Sequence, residues 1–278
     1  MGVKIITDST SDLTIQEAEA LGVKIVPLKV NFGSEEFIDK FTISNEEFFD
    51  RLGKTDVMPT TTLVNVGEFI VAFNESPDDE IVCILLAASF SGTLQSAVIA
   101  KENVARDNIY IVDSETVSVS LWALVQVAVK MRDAGKNAKE IVAAIDELKK
   151  KIVLLSVFDT LKYLVKGGRL SGVAGFVGEL IKLKPIVRVK NSKVENIGKT
   201  RGIKAGMEFI LKTMEEDFQL DESMPIYFGH TMAAEDAEVL KARVAEKHPI
   251  IGGQLISIGS VVGTHAGSGA IAVVFFNK

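Results

Sequence analysis

Residues 81–113, IVCILLAASFSGTLQSAVIAKENVARDNIYIVD, decide the fold. The run Ile81–Leu86 is short and wholly apolar, as a strand buried on both faces requires. A hydroxyl-rich turn follows at Ser91, Gly92 and Thr93. From Gly92 to Val104 the pattern is helical, and Ser91 is placed to cap that helix. Ile109–Val112 forms the next strand and ends in Asp113 and Ser114. Strand, helix and strand in that order make a βαβ unit, whose strands run parallel.

The same alternation extends in both directions. Upstream, Val3–Thr7 is a strand ending in the polar run Asp8, Ser9, Thr10, Ser11, Asp12. A helix spans Thr14–Leu21, with Gly22 at its left-handed end. Val23–Phe32 reads as one strand. Ser44 starts a helix that Gly53 ends, and Asn65–Asn74 forms another. Downstream come two long helices, Val117–Ala134 and Ala138–Lys150, and then the strand Ile152–Phe158. Short helices are expected at Thr160–Val165 and Val173–Leu183. Pro185–Lys199 alternates as a hairpin turning at Asn191 and Ser192. The remaining helices are Ile203–Glu216 and Ala233–Ala245, and the remaining strands Ile226–Gly229, Ile256–Ile258 and Ala270–Phe276. The fold class is therefore α/β with two domains, residues 1–158 and 159–278. Each is expected to be a mostly parallel sheet flanked by helices, with a ligand tunnel between or beside them.

Composition narrows the function. The 278 residues are 47% hydrophobic and carry a formal net charge of -6. That balance suits a large core and argues against nucleic acid as a partner. The basic run Lys149–Lys151 is short and reads as a solvated helix end. Cys83 is the one cysteine. It sits in an apolar strand, as a structural thiol in a reducing compartment would. No apolar segment reaches the ~20 residues of a membrane span, so the expectation is a soluble cytoplasmic protein without a permanent membrane anchor.

Several turns could carry chemistry. The run Asp8–Asp12 reads either as a helix cap or as the floor of a pocket, since it leaves the carboxyl end of a strand. Pro59 is followed by Thr60, Thr61 and Thr62. One of these would cap the helix near Asn65, and the others could donate to a bound oxygen. Ser91 and Gly92 offer a hydroxyl and a backbone N–H open to close approach. Arg169 lies in a glycine turn with Ser171 as a cap. The apolar helix Val173–Leu183 after it could be core or could wall a greasy tunnel. A last glycine-rich turn, Gly263–Gly269, carries His265. His230 ends a strand and could face the same cleft, while His248 reads as solvated. Nothing here has the spacing of a metal site or of a nucleotide loop, so no catalytic set and no cofactor are expected.

Taken in order, Asp8–Leu13, Pro59–Thr62, Ser91–Ala97, Lys166–Ser171, Lys184–Ile186 and Gly263–Gly269 resemble the DegV family. That family includes the fatty-acid-binding subunits of bacterial fatty acid kinase. The chain departs from its usual pattern at Ala87, Ala88, Thr62 and Ser268. The resemblance implies a long-chain fatty acid such as palmitate held between two halves. Its carboxylate would lie on Thr61, with Thr62, and on Ser91, and Arg169 and His265 would complete the network. It also implies a partner, a separate kinase subunit that phosphorylates the bound acid to an acyl phosphate. The competing expectation is a hydrolase or phosphotransferase using Ser91 or Ser9 with His265. No GxSxG elbow surrounds either serine. A transcription regulator lacks both the basic charge and a helix-turn-helix signal.

Overall fold

The computed structural model describes residues 2–170 and 183–278. Strand β1 (Val3–Asp8) runs into a single 3₁₀ turn at Ser9–Ser11, and helix α1 (Ile15–Leu21) follows. Thr14 and Glu17 form a complete capping box, and Gly22 closes α1 at φ 59°, a conformation that suits glycine. β2 (Val23–Val26) pairs in parallel with β1.

The single strand expected over Val23–Phe32 is two. Pro27 has no N–H to give to a ladder, and Leu28 donates its N–H to the Ser9 hydroxyl at 3.1 Å. The chain thus leaves the first sheet and starts another. There β3 (Lys29–Phe32) lies between β4 (Glu35–Ile38) and β5 (Thr60–Thr62), with both pairings antiparallel. Helix α2 (Asn45–Lys54), capped by Ser44, runs through Gly53 rather than ending there. Asn65 caps α3 (Val66–Asn74) by its own capping box with Glu68. No threonine of residues 60–62 is needed as a cap, and the segment expected as a turn is an edge strand.

The 81–113 stretch folds as read, with β6 (Glu80–Leu85), α4 (Thr93–Val104) and β7 (Ile109–Asp113). The sheet order is β2-β1-β6-β7, all parallel. The connection from β1 goes to one side and β6 lies on the other. The carboxyl ends of β1 and β6 are therefore a topological switch point, where ligands of open α/β sheets bind.

Helices α5 (Val119–Asp133) and α6 (Ala138–Lys151) lead to the second sheet. It comprises β8 (Ile152–Val157), β9 (Lys184–Lys190), β10 (Lys193–Thr200), β11 (Ile226–His230), β12 (Gly252–Ser257) and β13 (Ile271–Phe276), in the order β10-β9-β8-β13-β11-β12. The expected mostly parallel sheet is not found here, because among the described residues only β11 and β12 pair in parallel. A parallel pair needs a long crossover, and the two-residue turn at Asn191 and Ser192 forces β9 and β10 antiparallel. β13 returns from the helix before it to lie between β8 and β11. Since β8 pairs with β9 and β13, the second sheet begins at Ile152, inside the expected 1–158 domain. Helices α7 (Lys162–Lys166), α8 (Ile203–Asp217), α9 (Ala234–Ala245) and α10 (Ser260–Ala266) complete the described elements. The expected Val173–Leu183 helix and Ser171 cap fall on residues 171–182, outside the described residues, with Leu183 just beyond them.

Strand alternation explains the layering. Ile81, Cys83 and Leu85 face α3 and α4, while Val82 and Ile84 face α5. Helix α5 is buried along most of its length and touches both sheets. One core therefore runs from Ile5 and Val82 through Trp122 to Leu154 and Tyr227. Val153, Leu155 and Val157 point the other way, onto α8 and α9. Burial pushes the Cys83 thiol well above its ordinary range. That suits a packed thiol rather than a nucleophile.

Candidate functional site

One cavity lies between the carboxyl ends of the parallel sheet and the inner face of the second sheet. It holds about 1040 Å³ of empty space, part of it open to solvent. Thr61, Ser91, Gly92, Arg169 and His265 all line it. Most of the remaining wall is apolar, and Leu154, Val187, Val189, Val194 and Ala272 bring it from the second sheet. Their placement follows from alternation, since Val187 and Val189 turn inward while Arg188 pairs with Glu195 on the other face.

Five of the six expected ligand residues thus meet. The exception is Thr62, which is exposed and does not line the cavity. Its hydroxyl accepts from Asn31 Nδ2 at 2.9 Å. Thr61 and Thr62 are neighbours in a strand, so they point to opposite faces. The triple threonine suggested a turn in which all hydroxyls converge, and pairing of β5 with β3 removes that possibility.

The two halves touch at the mouth. Thr61 Oγ1 lies 3.3 Å from His265 Nε2. His265 sits in the last turn of α10, so the expected 263–269 loop is helical up to Ala266, and the turn begins at Gly267. Helix α10 packs on α2, where a Cβ on Gly263 would come within 2.6 Å of Phe49. Gly167 is also forced, because a Cβ there would collide with the His265 ring. Burial lowers the His265 pKa to about 4, with the Arg169 charge adding to it, so the imidazole is neutral at pH 7. Its Nδ1 is buried and has no hydrogen-bond partner among the described residues.

Arg169 is exposed and is held by carbonyls, donating Nε to Phe90 O at 3.2 Å and a terminal nitrogen to Gly167 O at 2.6 Å. Ser91 is not the N-cap of α4. Gly92 holds that position, and Ser91 Oγ accepts from the Thr93 N–H at 3.2 Å and bonds the Thr93 hydroxyl at 2.9 Å. Neither serine of the hydrolase reading is hydrogen-bonded to His265, whose Nε2 faces Thr61 instead. Ser9 Oγ is fully buried and takes the Leu28 N–H.

The Asp8–Asp12 run is floor and cap at once. Thr10 lines the cavity. Asp8 accepts from the Thr10 N–H, the Thr10 hydroxyl and the Leu86 N–H, which ties the ends of β1 and β6 together. Asp12 crosses to the other half. It accepts from Ser118 Oγ at 2.6 Å and from the Gly259 N–H at 2.8 Å, with Lys40 Nζ at 3.9 Å. Asp39 takes the Ser260 N–H and hydroxyl at the start of α10. Burial raises the pKa of both Asp8 and Asp12 to about 6. Sequence reasoning missed Ser118, Asp39 and Lys40, which carry no motif of their own. Ser118 and Lys40 have positive φ, 62° and 68°, a strain that only surrounding structure sustains.

His230 does not line the cavity, and its Nδ1 accepts from the Ala233 N–H at 3.4 Å. His248 is partly buried rather than solvated. Among the described residues no helix is long and apolar enough to cross a membrane.

Known proteins share this fold. The model of a family described as "Uncharacterised protein, DegV family" matches residues 2–278. A DegV domain-containing protein of Caldanaerobacter subterraneus is 33% identical over 281 residues, covering 99% of each chain. The structure is similar to that of a DegV family protein from Thermus thermophilus that binds fatty acid. The TM-score is 0.91 at 27% identity, over 100% of both chains. It is also similar to a DegV lipid-binding protein from Thermotoga maritima, with a TM-score of 0.88 at 25% identity, over 100% of this chain and 99% of that one. This chain belongs to the DegV family.

Proposed function

We propose that the chain binds one long-chain fatty acid, tail in the apolar cavity and carboxylate at the mouth, and presents it to a separate kinase subunit. The observation that carries this reading is the cavity's division of labour, hydrocarbon walls from the second sheet and hydroxyls, a backbone N–H and Arg169 at one opening. Each buried CH₂ contributes about 0.8 kcal/mol, and a carboxylate left unpaired would cancel several kcal/mol of that. Thr61, Ser91 and the Gly92 N–H offset that cost as donors, and Arg169 supplies the countercharge. A neutral His265 donating Nε2–H to Thr61 leaves the threonine proton for a ligand oxygen. Gly92 and Arg169 are exposed, so a phosphoryl donor can approach the bound acid, and the product would be an acyl phosphate. The chain itself acts as a carrier. Its lone, buried cysteine supports a cytoplasmic setting.

Native mass spectrometry of the purified protein tests the first step. Fatty acid should co-purify, and Thr61→Ala with Ser91→Ala should empty the site. Full occupancy in the double variant would refute the assignment. The second step is tested by mixing the loaded protein, ATP and a candidate kinase subunit and assaying acyl phosphate.

A further inference from the structure

Thr10 and Ser118 sit in the wall of the cavity, yet the fatty-acid reading gives them nothing to do. They are adjacent, since the Ser118 N–H donates to Thr10 O at 2.9 Å. Both are almost fully buried. Each hydroxyl proton is already committed to a carboxylate behind the wall. Thr10 Oγ1 donates to Asp8 Oδ1 at 2.5 Å and Ser118 Oγ donates to Asp12 Oδ2 at 2.6 Å. A third lining hydroxyl, Ser156, likewise donates inward, to Ile271 O at 2.7 Å. Each oxygen keeps lone pairs and has no proton left for a ligand. The mouth can donate, whereas this patch can only accept.

Backbone strain at the patch points the same way. Ser118 holds φ 62° and ψ -138°, and Asp12 holds φ 59°. Non-glycine residues rarely adopt such values, and where they do the surroundings enforce them. Helix α5 could begin without that cost if residue 118 were glycine. A serine is instead held where its hydroxyl bonds Asp12 and the residue lines the cavity.

We infer that the Thr10–Ser118 patch accepts a hydrogen bond from a hydroxyl on the ligand's acyl chain, so that the ligand class extends to hydroxylated long-chain fatty acids. The inference rests on the fatty-acid reading above. The relay would run from ligand O–H to the Ser118 oxygen and from Ser118 O–H to the Asp12 carboxylate. Hydrogen bonds in such a chain polarise one another, and one that ends on a charge is among the strong ones. The same acceptor-only wall, backed by two carboxylates, disfavours a second carboxylate, so an α,ω-diacid should be rejected.

The test uses the full chain stripped of lipid. Dissociation constants are measured for hexadecanoic acid, for its monohydroxylated positional isomers and for hexadecanedioic acid. At least one isomer should bind as tightly as hexadecanoic acid. Isomers whose hydroxyl misses the patch should bind ten-fold or more weakly, because a buried hydroxyl without a partner is costly. The diacid should fall with the weak isomers. Ser118→Ala should weaken the favoured isomer about ten-fold and leave hexadecanoic acid within two-fold. If every isomer is ten-fold weaker than hexadecanoic acid, the patch has no such role, and this outcome requires no variant to fold. If hexadecanoic acid itself does not bind, the fatty-acid reading fails and this inference falls with it.

Discussion

Two hydroxyl-rich segments leave the carboxyl ends of neighbouring strands of one parallel sheet, Ser9–Ser11 after β1 and Ser91–Thr93 after β6, and they differ in burial. The first is wholly buried, its Thr10 proton and its Ser9 lone pair given to the protein. The second lies at the mouth, with Ser91 half-buried and Gly92 exposed. Composition does not separate them. What differs is the neighbourhood, because Asp8 stands directly before the first and nothing acidic precedes the second. An acidic residue within reach turns a hydroxyl from a donor toward a ligand into a strut of the fold.

The comparison predicts that damage to the first region costs stability and damage to the second costs binding. The largest effect belongs to Asp12→Leu. It would leave Ser118, the Gly259 N–H and Lys40 buried around a missing carboxylate. A loss of about 3–5 kcal/mol in unfolding free energy is expected, read from denaturant midpoints at constant m-value. A loss below 1 kcal/mol would show that the two halves are held together elsewhere. Next comes Thr61→Ala with Ser91→Ala. Two hydrogen bonds to a charge, each worth about 1.5–3 kcal/mol, predict at least 10²-fold weaker fatty-acid binding. Stability should move by less than about 1 kcal/mol, since both residues sit at the partly open mouth.

A smaller effect separates the regions by pH. The raised Asp8 and Asp12 values, about 6 against an ordinary 3.8, mean that the native state holds these protons more tightly than the unfolded chain. Their contribution is complete below the unfolded value and is lost as pH rises through about 6. His265 at the mouth works in reverse. Its value of about 4 lies below the usual 6.5, so its contribution is present above 6.5 and is lost as pH falls toward 4. Two aspartates outweigh one histidine between pH 7 and 5, so stability of the intact protein should rise modestly on acidification there. Asp12→Asn should tilt the profile so that stability falls on acidification, and His265→Gln should tilt it the other way. Each tilt should be about 1 kcal/mol, visible in Tm measured at several pH values. Equal slopes in all three proteins would contradict the assignment.

Much of the architecture was legible because local signals agreed. Thr14 with Glu17, Asn65 with Glu68 and Asn137 with Glu140 are capping boxes, each decided by residues three apart. The Asn191–Ser192 turn likewise fixes its own hairpin, with both residues at positive φ. Strand direction in the second sheet was not legible. Where β13 inserts depends on residues more than a hundred positions away, such as Val157 opposite Ile271. The mouth could be found from Ser91, Gly92, Arg169 and His265 because glycines mark close approach. Ser118 and Asp39 could not, since a lone serine and a lone aspartate carry no spacing, and only the fold brings them to Asp12 and Ser260.

The smallest prediction is the sharpest probe of this difference between proximity in sequence and in space. Thr61 and Thr62 share a residue type, a strand and a peptide bond. Thr61 faces His265 and the cavity, whereas Thr62 faces Asn31 and solvent. Thr61→Val alone should weaken fatty-acid binding about ten-fold, the worth of one hydrogen bond to a charged group. Thr62→Val should change it less than two-fold and alter stability by less than about 0.5 kcal/mol, because valine suits an exposed strand position and the lost bond is a surface one. If the two variants weaken binding equally, β5 does not hold its pleat when the ligand is bound. The three threonines would then converge on the carboxylate as a turn, and the antiparallel pairing of Thr61 with Val30 would have to open to allow it.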